Sequence, residues 1–361
     1  MKRQNNRYTV LPKKITGFTL IELLVASALS IIVLIAAGSG FVTTQKLSQV
    51  AKGRLQVQND LRNATNMIVR DARMAGSFGC FNLAKTVANN QMKWKDHGTA
   101  NVLGALEYNN QNQGVKYFDG TALSRLGFTV STSSPKVLLF TYGIGSSSGY
   151  TGSKDSFSVQ IEKGGELAEL AGQTDAPIII STCSSLERFP SSTKKLSGSV
   201  LTVKNLSPNL SSDHDTQVNP KLQSEISVFR QVVNIYAIGT PKGGEEGLYL
   251  FQLNPNGEIS APQLLLAGVT SWELEFGYVQ SPGCKSMQND TKIKFVNNIE
   301  SNKTALSPAL LRMKLKGSGG GEVKSGKAAN NSESDVQTYY INATIRGGNS
   351  CAERNFQEDA N

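Results

Sequence analysis

The chain has 361 residues, 39% of them hydrophobic and 18% charged, with a formal net charge of +9. That length and balance suit one or two ordered domains and exclude a disordered chain. The charge is uneven: Lys2, Arg3, Arg7, Lys13 and Lys14 supply five of the nine units with no acid before Gly17, and the rest is a mildly basic surface rather than a nucleic-acid groove.

In chain order, the first predicted element is a membrane span. Phe18 to Phe41 (FTLIELLVASALSIIVLIAAGSGF) is long enough to cross a bilayer at the ~20 residues a helix needs, with a single charge at Glu22. Five cations precede it, so the positive-inside rule places residues 1–17 in the cytoplasm and exports everything after Phe41. A cleaved secretory signal is shorter and ends in a small-residue cleavage site, which AAGSG matches only loosely. A plain anchor explains the length but not a carboxylate five residues into it, where a charge costs ~2.5–3.5 kcal/mol unless partnered.

Gly17-Phe18-Thr19-Leu20-Ile21-Glu22 with its following apolar run resembles the prepilin signature of type IV pilins and type II secretion pseudopilins. The resemblance implies that a membrane aspartyl prepilin peptidase cuts after Gly17 on the cytoplasmic side and that the new N-terminus, Phe18, is methylated. It further implies that Glu22 is the assembly residue, pairing with the α-amino group of Phe18 on a neighbouring subunit. A glycine before the cut leaves room for a protease, and a buried carboxylate needs such a partner.

Beyond the span the helical signal continues. No proline lies between Pro12 and Pro135, and Val42, Leu47, Val50, Leu55, Val57, Leu61, Ala64, Ile68, Ala72 and Ala75 recur at spacings of three to five. This predicts one helix from about Phe18 to Ala75, roughly 85 Å at ~1.5 Å per residue, ending at Gly76 or Gly79. Its second half reads as a core-packing stripe. Gly38, Gly40 and Gly53 weaken the helix, and the family suggests that it loosens at Gly38 to Gly40 on packing into a filament. The charges of Arg70-Asp71-Ala72-Arg73 read as solvent contacts or local ion pairs worth ~0–1 kcal/mol.

From about residue 100, short β-branched and aromatic runs between Gly, Ser, Asn and Pro predict strands. They fall at 136–142, 156–162, 177–181, 199–204, 226–238, 248–253, 263–267, 270–279, 310–316 and 337–346, with surface loops at 143–153, 205–219 and 316–333. Trp272-Glu273-Leu274-Glu275-Phe276 alternates cleanly, so one face is buried. The fold class is α+β: a long N-terminal helix against a large antiparallel β-sheet head, the arrangement pilins show. The segments are a basic leader (1–17), a transmembrane half-helix (18–41), an amphipathic half-helix (42–79) and a β-rich head (80–361).

Cys80, Cys183, Cys284 and Cys351 all lie on the exported, oxidising side and form an even set, which favours structural disulfides. Three connectivities are open; Cys80–Cys183 and Cys284–Cys351 are favoured because the first ties the helix end to the sheet and the second closes a C-terminal loop. No CxxC occurs and His97 and His214 stand alone, which argues against a metal site. No phosphate loop or nucleophile elbow is present, so neither an enzyme nor a cofactor is expected.

The run Met67 to Phe81 (MIVRDARMAGSFGCF), with Gly247–Phe251, Leu265–Val269 and Leu274–Tyr278, resembles the PilW (PilJ-like) minor pilins. That resemblance implies a subunit that primes or supports pilus assembly with other minor pilins and the major pilin, with adhesion and twitching motility following indirectly. It places the chain in a Gram-negative inner membrane through residues 18–41, head in the periplasm, and then in the pilus at the cell surface. A large minor pseudopilin of type II secretion and a tip adhesin or DNA-binding subunit are the alternatives; the modest charge of the head gives direct nucleic-acid binding little support.

Overall fold

The computed structural model describes residues 17–79, 81–83, 93–96, 114–145, 148–153, 156–160, 167, 178–181, 185–189, 194–197, 200–204, 227–253, 259–279, 293–299, 308–318 and 336–345. The leader cations, both histidines, all four cysteines and the predicted loop at 205–219 lie outside the described residues. The chain divides into two compact units, Met1–Leu55 and Gln56–Asn361.

The first unit is helical. Helix α1 (Leu20–Met74) begins there and is unbroken through Gly38 and Gly40. Its apolar side chains are exposed, from Phe18 at 86% to Leu55 at 60%. Hydroxyls from Ser27 to Thr44 are satisfied within the helix: Ser30 donates to the Ala26 carbonyl at 2.7 Å, and Thr43 and Thr44 donate to the Ser39 and Gly40 carbonyls at 2.9 Å. A helix that closes its own polar groups in this way is the kind a hydrocarbon solvent accepts.

The second unit is the head, which contains the end of α1 and three larger sheets. Strand Ser227–Pro241 is its axis. On one side it pairs antiparallel with Lys136–Ile144, and with Phe128–Val130 at its end; on the other it pairs with Gly247–Gln252 and Ile178–Ser181. Both faces of this sheet are buried. Leu138, Phe140, Tyr236 and Ile238 look toward α1, while Val137, Leu139, Val233 and Ile235 join Phe128 and Phe251 on the opposite side. Such strands read as near-continuous apolar runs rather than alternating ones, as VVNIYAI (residues 232–238) does with Asn234 as its one polar residue.

A four-stranded antiparallel sheet (Ile293–Val296, Val269–Val279, Leu310–Ser318, Val336–Thr344) has one wet face. Trp272, Leu274 and Phe276 point into the core, while Glu273 and Glu275 face out, as the alternation predicts. The third sheet comprises Lys194–Ser197, Val200–Lys204, Ser156–Gln160 and Ser148–Ser153. Here the loop expected at 143–153 is corrected: Gly143 and Ile144 finish a strand, and Ser148–Ser153 pairs antiparallel with Ser156–Gln160. Hydrogen bonding to a neighbouring strand overrides the poor intrinsic preference of SGYTGS. The loop expected from residue 316 is corrected at its start, since the strand continues to Ser318; residues 319–333 of it lie outside the described residues.

The apolar stripe of α1 enters the core only from Val57. Ala64, Ile68 and Ala72 are fully buried and Val57 and Leu61 pack beside them, whereas Leu47 is 65% exposed. The stripe predicted to pack from residue 42 is corrected to that extent. The helix ends at Met74 and Gly76 turns the chain with φ +78°, a conformation that favours glycine. Gly114 packs against this turn so closely that a Cβ would stand 2.0 Å from the Gly76 nitrogen. The Gly76 N–H donates to the Thr141 carbonyl at 2.8 Å, which carries the chain from helix into sheet.

Candidate functional site

The residues singled out at the N-terminus form a local unit. Gly17, Phe18 and Thr19 are non-helical and exposed, and α1 starts at Leu20. Thr19 is the N-cap: its Oγ1 accepts the Glu22 N–H at 3.3 Å, while Glu22 Oε2 accepts both the Thr19 N–H and the Thr19 hydroxyl at 3.0 Å. This reciprocal capping box satisfies donors that a helix start leaves orphaned. All these contacts use Oε2, so Glu22 Oε1 has no partner among the described residues. Phe18, one residue ahead of the cap, is held by no core contact.

Gly17 has nothing within 4 Å of where a Cβ would sit, and neither do Gly38 and Gly40. The fold of the subunit therefore does not require glycine at any of the three. The helix behind the cap has a mean hydropathy of 2.6 over its most apolar 18-residue stretch, none of it buried within the protein.

A second polar cluster was not singled out from the sequence. Asp71, near the end of α1, is completely buried. Its Oδ2 accepts from the Asn234 amide and the Tyr236 hydroxyl, both at 2.6 Å; its Oδ1 accepts from the Tyr142 hydroxyl at 2.9 Å and from Arg70 at 3.3 Å. The reading of this segment as surface charge is thus corrected. The Arg70–Asp71 pair exists with Arg70 largely exposed, but the carboxylate belongs to the core. A periodicity test would have flagged it, because Asp71 is three residues after Ile68 and seven after Ala64, on the buried stripe. Burial, then the Asp71 charge and its hydrogen bond, push both the Tyr142 and Tyr236 phenols far above their ordinary range. This cluster fastens the helix end to the two central strands and offers no open position for a reacting group.

Among the described residues no group of three or more His, Cys, Asp or Glu side chains is gathered as a metal site would require. Compared with curated proteins and with solved structures, the chain matches none. Residues 12–38 match the family described as the prokaryotic N-terminal methylation motif. The N-terminal segment is a prepilin-type signal of the kind that type IV pilins and pseudopilins bear, which implies processing by a prepilin peptidase, anchoring by the apolar helix and assembly with other pilin-like subunits.

Proposed function

We propose that this chain is a minor type IV pilin of the PilW kind, cut after Gly17, methylated on Phe18, and held in the filament through Glu22, where it primes or supports pilus assembly. The observation that carries the reading is the N-terminus itself. An exposed, non-helical Gly17-Phe18 peptide precedes a capped helix whose Glu22 keeps one carboxylate oxygen open. A neighbour's Phe18 ammonium can bind Oε1 while Thr19 holds Oε2, so the assembly contact need not dismantle the cap. A glycine with open space around it answers a requirement outside the subunit, and a peptidase is such a requirement. The large head behind the helix favours a minor subunit over the repeat unit of a bare fibre. The apolar segment 18–41 serves as the inner-membrane anchor before assembly. Cys80–Cys183 and Cys284–Cys351 are the disulfides we assign to the head, to be checked by non-reducing peptide mapping.

Substituting Gly17 and Glu22 separately tests the reading. Gly17→Val accumulates uncleaved precursor, while Glu22→Ala is cleaved and methylated but scarce in sheared filaments. Thr19→Ala, which removes the cap and keeps the charge, retains substantial incorporation. Normal cleavage of Gly17→Val sinks the proposal. A pseudopilin has the same N-terminus; deleting the gene and scoring surface pili against protein secretion decides between the two.

A further inference from the structure

An open cleft of about 700 Å³ lies at the four-stranded sheet of the head, within the ~300–1,000 Å³ range of small-molecule sites. It sits where strand Val269–Val279 has, among the described residues, a gap in the pairing of its outer edge. At one end of the gap, Ser134 caps Trp272: its hydroxyl accepts the Trp272 N–H at 2.9 Å and donates to the Trp272 carbonyl at 3.4 Å. At the other end, Phe276 pairs with Val296. Leu274, between them, points its peptide N–H and C=O the same way by the two-residue alternation of a strand, and they meet no partner among the described residues. The gap thus leaves a donor and an acceptor facing the cleft.

The walls are aromatic and polar. Tyr340 lines the cleft with 70% of its surface exposed, an unusual exposure for so large a ring. Trp272 lines it from the buried side; its indole N–H meets no acceptor in hydrogen-bonding geometry among the described residues. Arg312 lies with its guanidinium carbon 3.8 Å from the centre of the Phe295 ring and a guanidinium nitrogen 3.7 Å from Glu275. Phe295 itself lies over Gly277, where a Cβ would come within 2.9 Å of the ring. A guanidinium fixed on two sides presents its remaining donors as a rigid fork. Asn342 and Asn297 add amides that both donate and accept.

The charges of the lining cancel. Glu273 and Glu275 oppose Lys314 and Arg312, and each cation is already paired, Lys314 to Glu273 at 3.3 Å and Arg312 to Glu275. A phosphate, a nucleic acid or an acidic glycan would need cations not already spent on carboxylates. An uncharged ligand with an apolar ring face and many hydroxyls matches what remains: aromatic surface, planar forks, amides and an open peptide. We propose that this cleft binds a neutral saccharide, its ring face against Tyr340 and its hydroxyls on Arg312, Asn342 and the Leu274 peptide. This inference stands independently of the assembly role.

The test uses the full chain in micelles of a detergent without a sugar headgroup, titrated with chitotetraose, isomaltotetraose and galactotetraose. Saturation-transfer NMR is the readout, with a sialylated oligosaccharide and a 20-nucleotide single-stranded DNA as charged comparisons. Saturable binding of at least one neutral oligosaccharide is expected, weakened tenfold or more in Tyr340→Ala and in Asn342→Ala, whose thermal melts stay at the wild-type value. The proposal is overturned by absence of saturable binding to all three, by binding that both variants leave intact, or by binding confined to the charged comparisons.

Discussion

Asp71 shows how a single charge can organise the end of a helix. Its carboxylate oxygens take bonds from three buried donors on the two central strands, so removing the carboxylate strands those donors in the core. Asp71→Ala is expected to destabilise the head by about 3–5 kcal/mol, the scale for breaking a buried charged network. Arg70→Ala, at a mostly exposed guanidinium, costs about 1 kcal/mol or less. Chemical denaturation of both variants checks the contrast, and equal losses would remove Asp71 from its role. The same cluster sets an alkaline limit. Tyr142 and Tyr236 stay protonated in the folded head well past the ~10 at which unfolded phenols ionise. The folded state then holds more protons than the unfolded one, so this contribution is complete below pH ~10 and falls as pH rises above it. Denaturation midpoints measured between pH 8 and 11 should decline above ~10, and Tyr236→Phe should flatten that decline while lowering stability at neutral pH.

Helix α1 divides by what its side chains touch. Ile68 is fully buried among the sheet residues, so Ile68→Ala should cost about 2–5 kcal/mol of head stability. Leu47→Ala and Leu55→Ala should leave the melting temperature of the head within error, since both side chains are mostly exposed. A large loss from either would mean that the stripe packs further back along the helix than Val57. The existence of the helix and its glycine stop were legible because length, periodicity and Gly76 agreed, and all ten expected strands correspond to observed ones. Where the stripe begins to pack was not legible, because the same spacing of Leu and Val serves a core or any other apolar neighbour. Two strands escaped notice for other reasons: Phe128–Val130 is only three residues long, too short to show an alternation, and Ser148–Ser153 is a strand by virtue of its partner Ser156–Gln160 and not by its own composition. At the candidate site, Gly17, Phe18 and Glu22 were legible as a motif, while the use of only one Glu22 oxygen in the cap required coordinates.

Two organelles are told apart by phenotype: loss of the gene should reduce surface pili and leave protein secretion at the wild-type rate, and the reverse result would make the chain a pseudopilin. The apolar exterior of the first unit, exposed from Phe18 to Leu55, bears on how any such assembly is driven. Lipid tails and neighbouring apolar helices are nearly equivalent solvents for Leu, Ile and Val. A subunit leaving the bilayer for a filament trades one oil for another and takes almost no additional hydrocarbon away from water. Partition therefore supplies little of the driving force. On the proposed reading, the bias comes from what oil does not offer: close fit between helices and a charged partner for the open oxygen of Glu22. Assembly of this chain should accordingly depend more on one ion pair than on the greasiness of the helix that bears it.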